Sequence, residues 1–204
     1  ARKIDFQGPV PSTKEVYRRA LNIAWPSAAE TVLVSLVGSV DTIMVGGLGP
    51  AAIAAVGLTN QPKFILLALI NSLNVGVTTV VARRRGQENR EGAQKCVRVA
   101  LMITFTLSLI LAILGFVFAE PIMSISGAAA DTMQDSIDYF RILMIGFVPM
   151  CIGLTVNAAQ RGVGNTRIAM TTNLTSNGIN LIFNYLLIHG NLGFPRLEVK
   201  GAAL

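Results

Sequence analysis

The chemistry available to this sequence lies in acidic and amide side chains within long apolar runs. Asp41 lies in the first run, and Glu30 precedes it by eleven residues, which is about three turns of an α-helix. Both carboxyl groups therefore share one helix face, roughly 16 Å apart along the axis. A carboxylate at membrane depth costs roughly 2.5–3.5 kcal/mol on insertion scales and is tolerated where it faces a bundle interior or a wet cavity. We therefore predict that Asp41 binds a coupling ion and that Glu30 lines the same cavity.

A second polar pattern is a stripe of asparagines in the fifth apolar run. Asn173, Asn177, Asn180 and Asn184 follow one another at intervals of four, three and four residues. On a helix they fall within an arc of about 60°. Hydrogen bonding between helices explains a single asparagine in a membrane, but four on one line favour the wall of a water-accessible cavity. We expect Asn157, in the fourth run, to line this cavity too.

Two further features of the first run concern helix shape. Pro26 removes a backbone donor one turn before Glu30, which predicts a helix kink of the kind that gates transporter cavities, although a merely tolerated proline fits equally well. A stripe of small residues on an adjacent face predicts close helix packing. Its members are Thr31, Ser35, Gly38 and Thr42.

The composition is that of an all-α polytopic membrane protein. Of 204 residues, 52% are hydrophobic and 14% charged, against about 25% charged in soluble domains. About 20 apolar residues cross the bilayer core. On that rule the predicted spans are Ala20–Gly46, Ala51–Ala82, Cys96–Ala119, Ile137–Gln160 and Ile168–His189, with a sixth beginning at Gly201. We expect residues 1–19 to form a cytoplasmic tail and 20–204 one helical bundle, truncated at both ends.

The basic residues predict the orientation of these spans. Thirteen of the 17 lysines and arginines fall in the tail and loops that five alternating spans place on one side, and only Arg196 and Lys200 fall on the other. Basic loops face the cytoplasm, so we expect a cell-membrane protein with a cytoplasmic N-terminus. The net charge of +6 does not indicate nucleic acid as a partner, because the basic residues lie in gaps between apolar runs rather than on a soluble recognition surface.

The sequence shows no constellation for enzymatic catalysis or for a metal cofactor. Cys96 and Cys151 are isolated thiols in apolar surroundings, and the single histidine, His189, has no ligand-type neighbour. The glycine-containing loop around Gly164 lacks both a preceding strand and the lysine of a phosphate-binding loop. We therefore expect a protein that is not an enzyme and binds no cofactor.

Four segments resemble, in the same order, parts of multidrug and toxic compound extrusion (MATE) transporters. They are WPSAAETVLVSLVGSVDTIMVGGLGPAAIAAVGL, ARRRGQENREGA, QRGVGNTRIAM and NLIFNYLLIHGNLGFPRLEVKGAAL. The resemblance implies a twelve-helix fold of two lobes, of which this chain is the N-terminal one and the C-terminal lobe is a missing partner. It also implies export of organic, often cationic, compounds driven by Na⁺ or H⁺. Carried over by position, the cation site comprises Asp41, Asn180 and Asn184.

One departure leaves the coupling ion open. Several members of the family carry aspartate where this chain has Asn184. Amide and hydroxyl oxygens suit Na⁺, whereas a lone carboxylate removed from water suits a proton.

Two other functions are open alternatives. One is a lipid-linked oligosaccharide flippase, which needs a more basic cavity than Lys63 and Arg141 supply. The other is a non-transporting membrane subunit.

Overall fold

The computed structural model describes residues 12–47 and 49–189. Within these ranges ten side chains are outside the described set: Arg19, Ile23, Pro26, Ser27, Glu30, Asp41, Met44, Val45, Ala51 and His189. The described chain is helical, with α1 Thr13–Gly46, α2 Pro50–Gly86, α3 Arg90–Val117, α4 Ala119–Ile125, α5 Met133–Gly162 and α6 Thr166–His189. The five long helices confirm the all-α prediction, and the predicted sixth span lies outside the described residues.

Three of the described helices are long and apolar enough, by length and composition, to cross a membrane. They are Ala52–Gly86, Arg90–Val117 and Met133–Gly162. The described part of α1 contributes a shorter apolar segment, Thr31–Val40. α6 has 24 residues, but its asparagines lower the mean hydropathy, because each replaces an apolar side chain with an amide.

Short turns with defined chemistry separate the helices. Ser12 caps α1, since the Glu15 N–H donates to Ser12 Oγ at 3.3 Å, so the polar end of the predicted tail is continuous with the first span. Asn89 caps α3 by accepting from the Gly92 N–H at 2.7 Å. Gly49 and Gly164 have φ of 110° and 80°, values that favour glycine. These turns make neighbouring long helices antiparallel.

α5 is the central helix, packing against α2, α3, α4 and α6, whereas α1 packs chiefly against α6. Phe140, Met144 and Phe147 of α5 form the largest part of a buried core with residues of α2, α3 and α4. At the other end of α5, a Cβ at Gly162 would lie 2.9 Å from the Thr78 carbonyl oxygen of α2. Glycine therefore permits the close approach of α5 and α2.

The predicted close packing of the small-residue stripe on α1 is wrong within the described part of the lobe. Thr31, Ser35, Gly38 and Thr42 are exposed, and a Cβ at Gly38 would meet nothing within 4 Å. The Ser35 and Thr42 hydroxyls donate to carbonyl oxygens of their own helix, at 2.9 and 2.8 Å. This stripe therefore lies away from the described neighbours of α1, as do large apolar side chains such as Leu36 and Ile43. α1 is helical through position 26, and the kink at Pro26 stays a prediction.

Candidate functional site

A chain of buried polar side chains joins three helices. The Thr104 and Thr155 hydroxyl oxygens, on α3 and α5, share a hydrogen bond of 2.9 Å. The Thr155 hydroxyl also lies 2.8 Å from Asn74 Oδ1 on α2, to which it can donate. All three residues are buried. Hydrogen bonds of this kind are a main source of helix association in membranes, so the chain fixes α2 and α3 relative to α5.

A polar cleft of about 450 Å³ opens next to this chain, between α2, α5 and α6. Asn157 and Asn173, predicted from sequence to line a cavity, both lie in its wall, where the Asn157 Nδ2 donates to Asn173 Oδ1 at 2.7 Å. α2 contributes amides and hydroxyls to the same wall. These are Asn71, Asn74, Thr78 and Thr79. The cleft therefore offers hydrogen-bond donors and acceptors from three helices.

Arg161 gives this cleft a positive charge. Sequence reasoning placed it in a loop, but it lines the cleft close to the end of α5, and it is the one charged residue among the described lining residues. Arginine binds carboxylate and phosphate groups through paired hydrogen bonds. Arg161 also makes an interaction within the protein, so the wall of the cleft carries one guanidinium group with a partner of its own beside the amides and hydroxyls.

The asparagine stripe of α6 divides between two places rather than forming one wall. Asn173 belongs to the cleft, and the half-buried Asn177 is absent from its lining. Asn184 is only 3% exposed; its Nδ2 donates to Asn180 Oδ1 at 3.2 Å, and it makes a further interaction. Asn180 is itself exposed. The second half of the stripe is thus a bonded amide pair next to an open face of α6.

Asp41 and Glu30 lie in α1, but their side chains are outside the described set. α1 packs against α6, and the two helices run in the same direction because four reversals of the chain separate them. Asp41 therefore belongs to a helix that packs against the helix of the Asn180–Asn184 pair.

Oxygen atoms of amides and hydroxyls suit alkali cations and polar organic ligands rather than transition metals. In the described part of the chain, no group of three acidic, histidine or cysteine side chains could hold a metal ion. Sequence reasoning missed Thr104 and Thr155, since a single threonine in an apolar run gives no signal. It also missed the position of Arg161, which follows only from the packing of α5 against α2.

Comparison with known proteins identifies the family. Residues 26–186 match the family described as MatE. A protein of Thermotoga maritima named "Probable multidrug resistance protein NorM" is 26% identical over 196 residues, covering 96% of this chain and 42% of the relative. A protein of Shewanella oneidensis named "FAD transporter" is 31% identical over 187 residues, covering 92% of this chain and 41% of that protein.

Solved structures agree with this match. An outward-facing multidrug resistance MATE family transporter of the MOP superfamily superimposes with a TM-score of 0.84 at 28% identity, covering 91% of this chain and 40% of that one. An inward-facing structure of a transporter with the same description superimposes with a TM-score of 0.75 at 30% identity, covering 83% of this chain and 38% of that one. The chain spans about two fifths of the length of these relatives. It belongs to the MatE family, and its helices correspond to the N-terminal lobe of a MATE transporter.

Proposed function

We propose that the protein to which this lobe belongs is a secondary active antiporter that exports organic, cationic compounds in exchange for Na⁺ or H⁺. The observation that carries the proposal is the pairing of α1 with α6. It sets the helix of Asp41 against the helix of the bonded Asn180–Asn184 pair. Membership of the MatE family supports the same assignment.

In this proposal the ion and the substrate bind different parts of one polar surface. The ion binds at Asp41, Asn180 and Asn184. The substrate cavity includes Glu30, Asn157, Asn173 and Asn177. Exchange requires that ion and substrate favour different states of one conformational equilibrium. α1 exposes the small hydroxyl residues Thr31, Ser35 and Thr42, and in this proposal they line a water-filled cavity shared with a second lobe in the cell membrane.

Replacing the proposed ion ligand tests the assignment. The full-length protein is reconstituted in liposomes, and efflux of a fluorescent organic cation is driven by an imposed Na⁺ or H⁺ gradient. We expect Asp41→Asn to lower gradient-driven efflux to the level of protein-free liposomes. Asp131→Asn is the matched control, because it removes an exposed carboxylate between α4 and α5 and should leave efflux unchanged. Normal coupled efflux by Asp41→Asn would refute the proposed role.

The same liposomes identify the coupling ion. Efflux that follows a Na⁺ gradient at constant pH indicates coordination by carboxylate and amide oxygens. Efflux that follows a pH gradient without Na⁺ indicates proton exchange on the carboxylate. Asn184→Asp supplies a second carboxylate at the site, so it should change the ion dependence if Asn184 is a ligand.

Arg161 favours a second candidate, the transport of anionic compounds. Its charge lies in the amide-lined cleft, and one relative, 31% identical, is named a FAD transporter. The test measures efflux of FAD and of the organic cation by Arg161→Gln. A loss of FAD efflux with unchanged efflux of the organic cation would establish this candidate. The relatives named above give no support to a lipid-linked oligosaccharide flippase, and gradient-driven efflux by the full-length protein would exclude a non-transporting subunit.

A further inference from the structure

A second cleft lies at the end of the bundle where α2 turns into α3. It has a volume of about 920 Å³ and is bounded by the last turns of α2, the first three turns of α3 and the end of α5. None of the residues assigned above to ion or substrate lines it. Its size falls in the range of pockets that bind small molecules, roughly 300–1,000 Å³.

The mouth of this cleft is basic. Arg85 of α2 and Arg90 of α3 line it beside the loop, Arg98 lines the cleft about two turns further along α3, and all three are exposed. Glu88 is the one acidic residue among the described lining residues, so the cleft has two positive charges in excess. Guanidinium groups bind phosphate through paired, charge-assisted hydrogen bonds. The mouth is therefore complementary to a phosphate group.

The floor of the cleft is apolar. Val81, Val97, Leu101 and Val163 line it. Leu101 follows Arg90 by eleven residues of the same helix, so the cleft extends roughly 16 Å from the polar loop into the apolar part of the bundle. A free phosphate or nucleotide would leave this floor exposed to water, whereas an acyl chain would cover it.

We propose that this cleft binds one anionic phospholipid, with its phosphate on Arg85, Arg90 and Arg98 and the upper part of an acyl chain along Val81, Val97 and Leu101. The arginines match the headgroup of such a molecule, and the apolar lining matches its acyl chain. Basic pockets between membrane helices are a known mode of anionic-lipid recognition. The lipid connects α2, α3 and the end of α5 at the membrane surface. This site is independent of the ion and the substrate.

Lipid retention by the purified full-length protein tests the proposal. Phosphatidylglycerol or phosphatidylcholine is titrated into detergent-solubilised protein, and bound lipid is counted by native mass spectrometry. We expect the wild type to retain one phosphatidylglycerol in preference to phosphatidylcholine. Arg85→Gln/Arg98→Gln should weaken phosphatidylglycerol binding by about 25-fold, or about fivefold for each arginine. Arg85→Lys/Arg98→Lys keeps the charge and should retain the preference.

The matched control is Arg83→Gln/Arg18→Gln. It removes two exposed arginines that do not line the cleft, one of them in the same turn as Arg85, and should change binding less than twofold. Equal losses in the two double variants, or equal retention of both lipids by the wild type, would overturn the proposal. Glycerol phosphate added at equal concentration should not displace the lipid. Full displacement would show that the cleft recognises the phosphate alone and would overturn the lipid assignment.

Discussion

Thr155→Val should destabilise the lobe by removing the hydroxyl at which α2, α3 and α5 meet. Valine has nearly the shape of threonine, so the change leaves the packing intact and removes hydrogen bonds. The wild-type hydroxyl joins Thr104 at 2.9 Å and Asn74 at 2.8 Å. Interhelical hydrogen bonds in membrane proteins contribute about 0.6 kcal/mol each on average and at most about 1.7 kcal/mol. The two bonds together give an expected loss of roughly 1.2–3.4 kcal/mol in the free energy of unfolding.

The assay is reversible unfolding of the full-length protein in mixed micelles with increasing denaturing detergent, followed by circular dichroism. Thr171→Val is the matched control. Thr171 is exposed on α6, and its hydroxyl donates to the Arg167 carbonyl oxygen of its own helix at 2.9 Å. Its replacement should change the free energy of unfolding by less than about 0.5 kcal/mol.

A double-mutant cycle separates the hydroxyl contact from general packing. Thr104→Val and Thr155→Val remove the two ends of one bond, so their combined effect should fall short of the sum of the single effects by about 0.6–1.7 kcal/mol. A coupling energy near zero, or a loss no larger than that of Thr171→Val, would refute the claim that this hydroxyl chain holds the three helices together.

Three other predictions use the same lobe. Gly162→Ala should lower the free energy of unfolding by roughly 1–3 kcal/mol, because its Cβ would lie 2.9 Å from an atom of α2. In the control Gly153→Ala, the added Cβ meets nothing within 4 Å, so the free energy of unfolding should rise by roughly 0.5–1 kcal/mol. A Gly153→Ala variant less stable than Gly162→Ala in the unfolding titration would contradict the packing described. Asn89→Ala should lower the free energy of unfolding by about 1 kcal/mol, because α3 loses its cap. Asn89→Ser should retain most of that stability, since serine also caps helices. Equal losses in the two variants would show that the cap contributes nothing. In the efflux assay, Asn180→Leu should lower gradient-driven transport more than Leu181→Ala, and equal effects would reduce the amide pair to a packing role.

The long helices could be predicted from sequence because hydropathy locates the hydrocarbon core. Their ends could not, since hydropathy does not detect a helix that continues into water. α3 begins at Arg90 rather than the predicted Cys96, because the Asn89 cap lies outside the apolar run. The short helix α4 was likewise missed, since its seven residues carry no periodic signal.

The candidate site was predictable in part. The spacing of Asn173 and Asn184 predicts that they share one face of α6, but spacing does not specify the partner of each amide. Asn173 accepts from Asn157 of α5, and Asn184 donates to Asn180 of its own helix and makes a further interaction. The small stripe of Thr31 and Gly38 was assigned to packing from its composition, yet it is exposed. Small hydroxyl residues suit both close packing and a polar surface, and only the arrangement of helices distinguishes the two.

The bond between Asn74 and Thr155 also has a consequence for biosynthesis. The two residues are separated by 81 positions, and chains elongate at about 5–20 residues per second, so Thr155 is synthesised on the order of 4–16 s after Asn74. The Asn74 amide is in the chain throughout that interval, and the Thr104 hydroxyl for the last 51 residues of it, without their native partner. Unpaired polar groups are costly in hydrocarbon. The polar groups that α2 and α3 contribute to this chain therefore gain their native partner only when α5 has been synthesised.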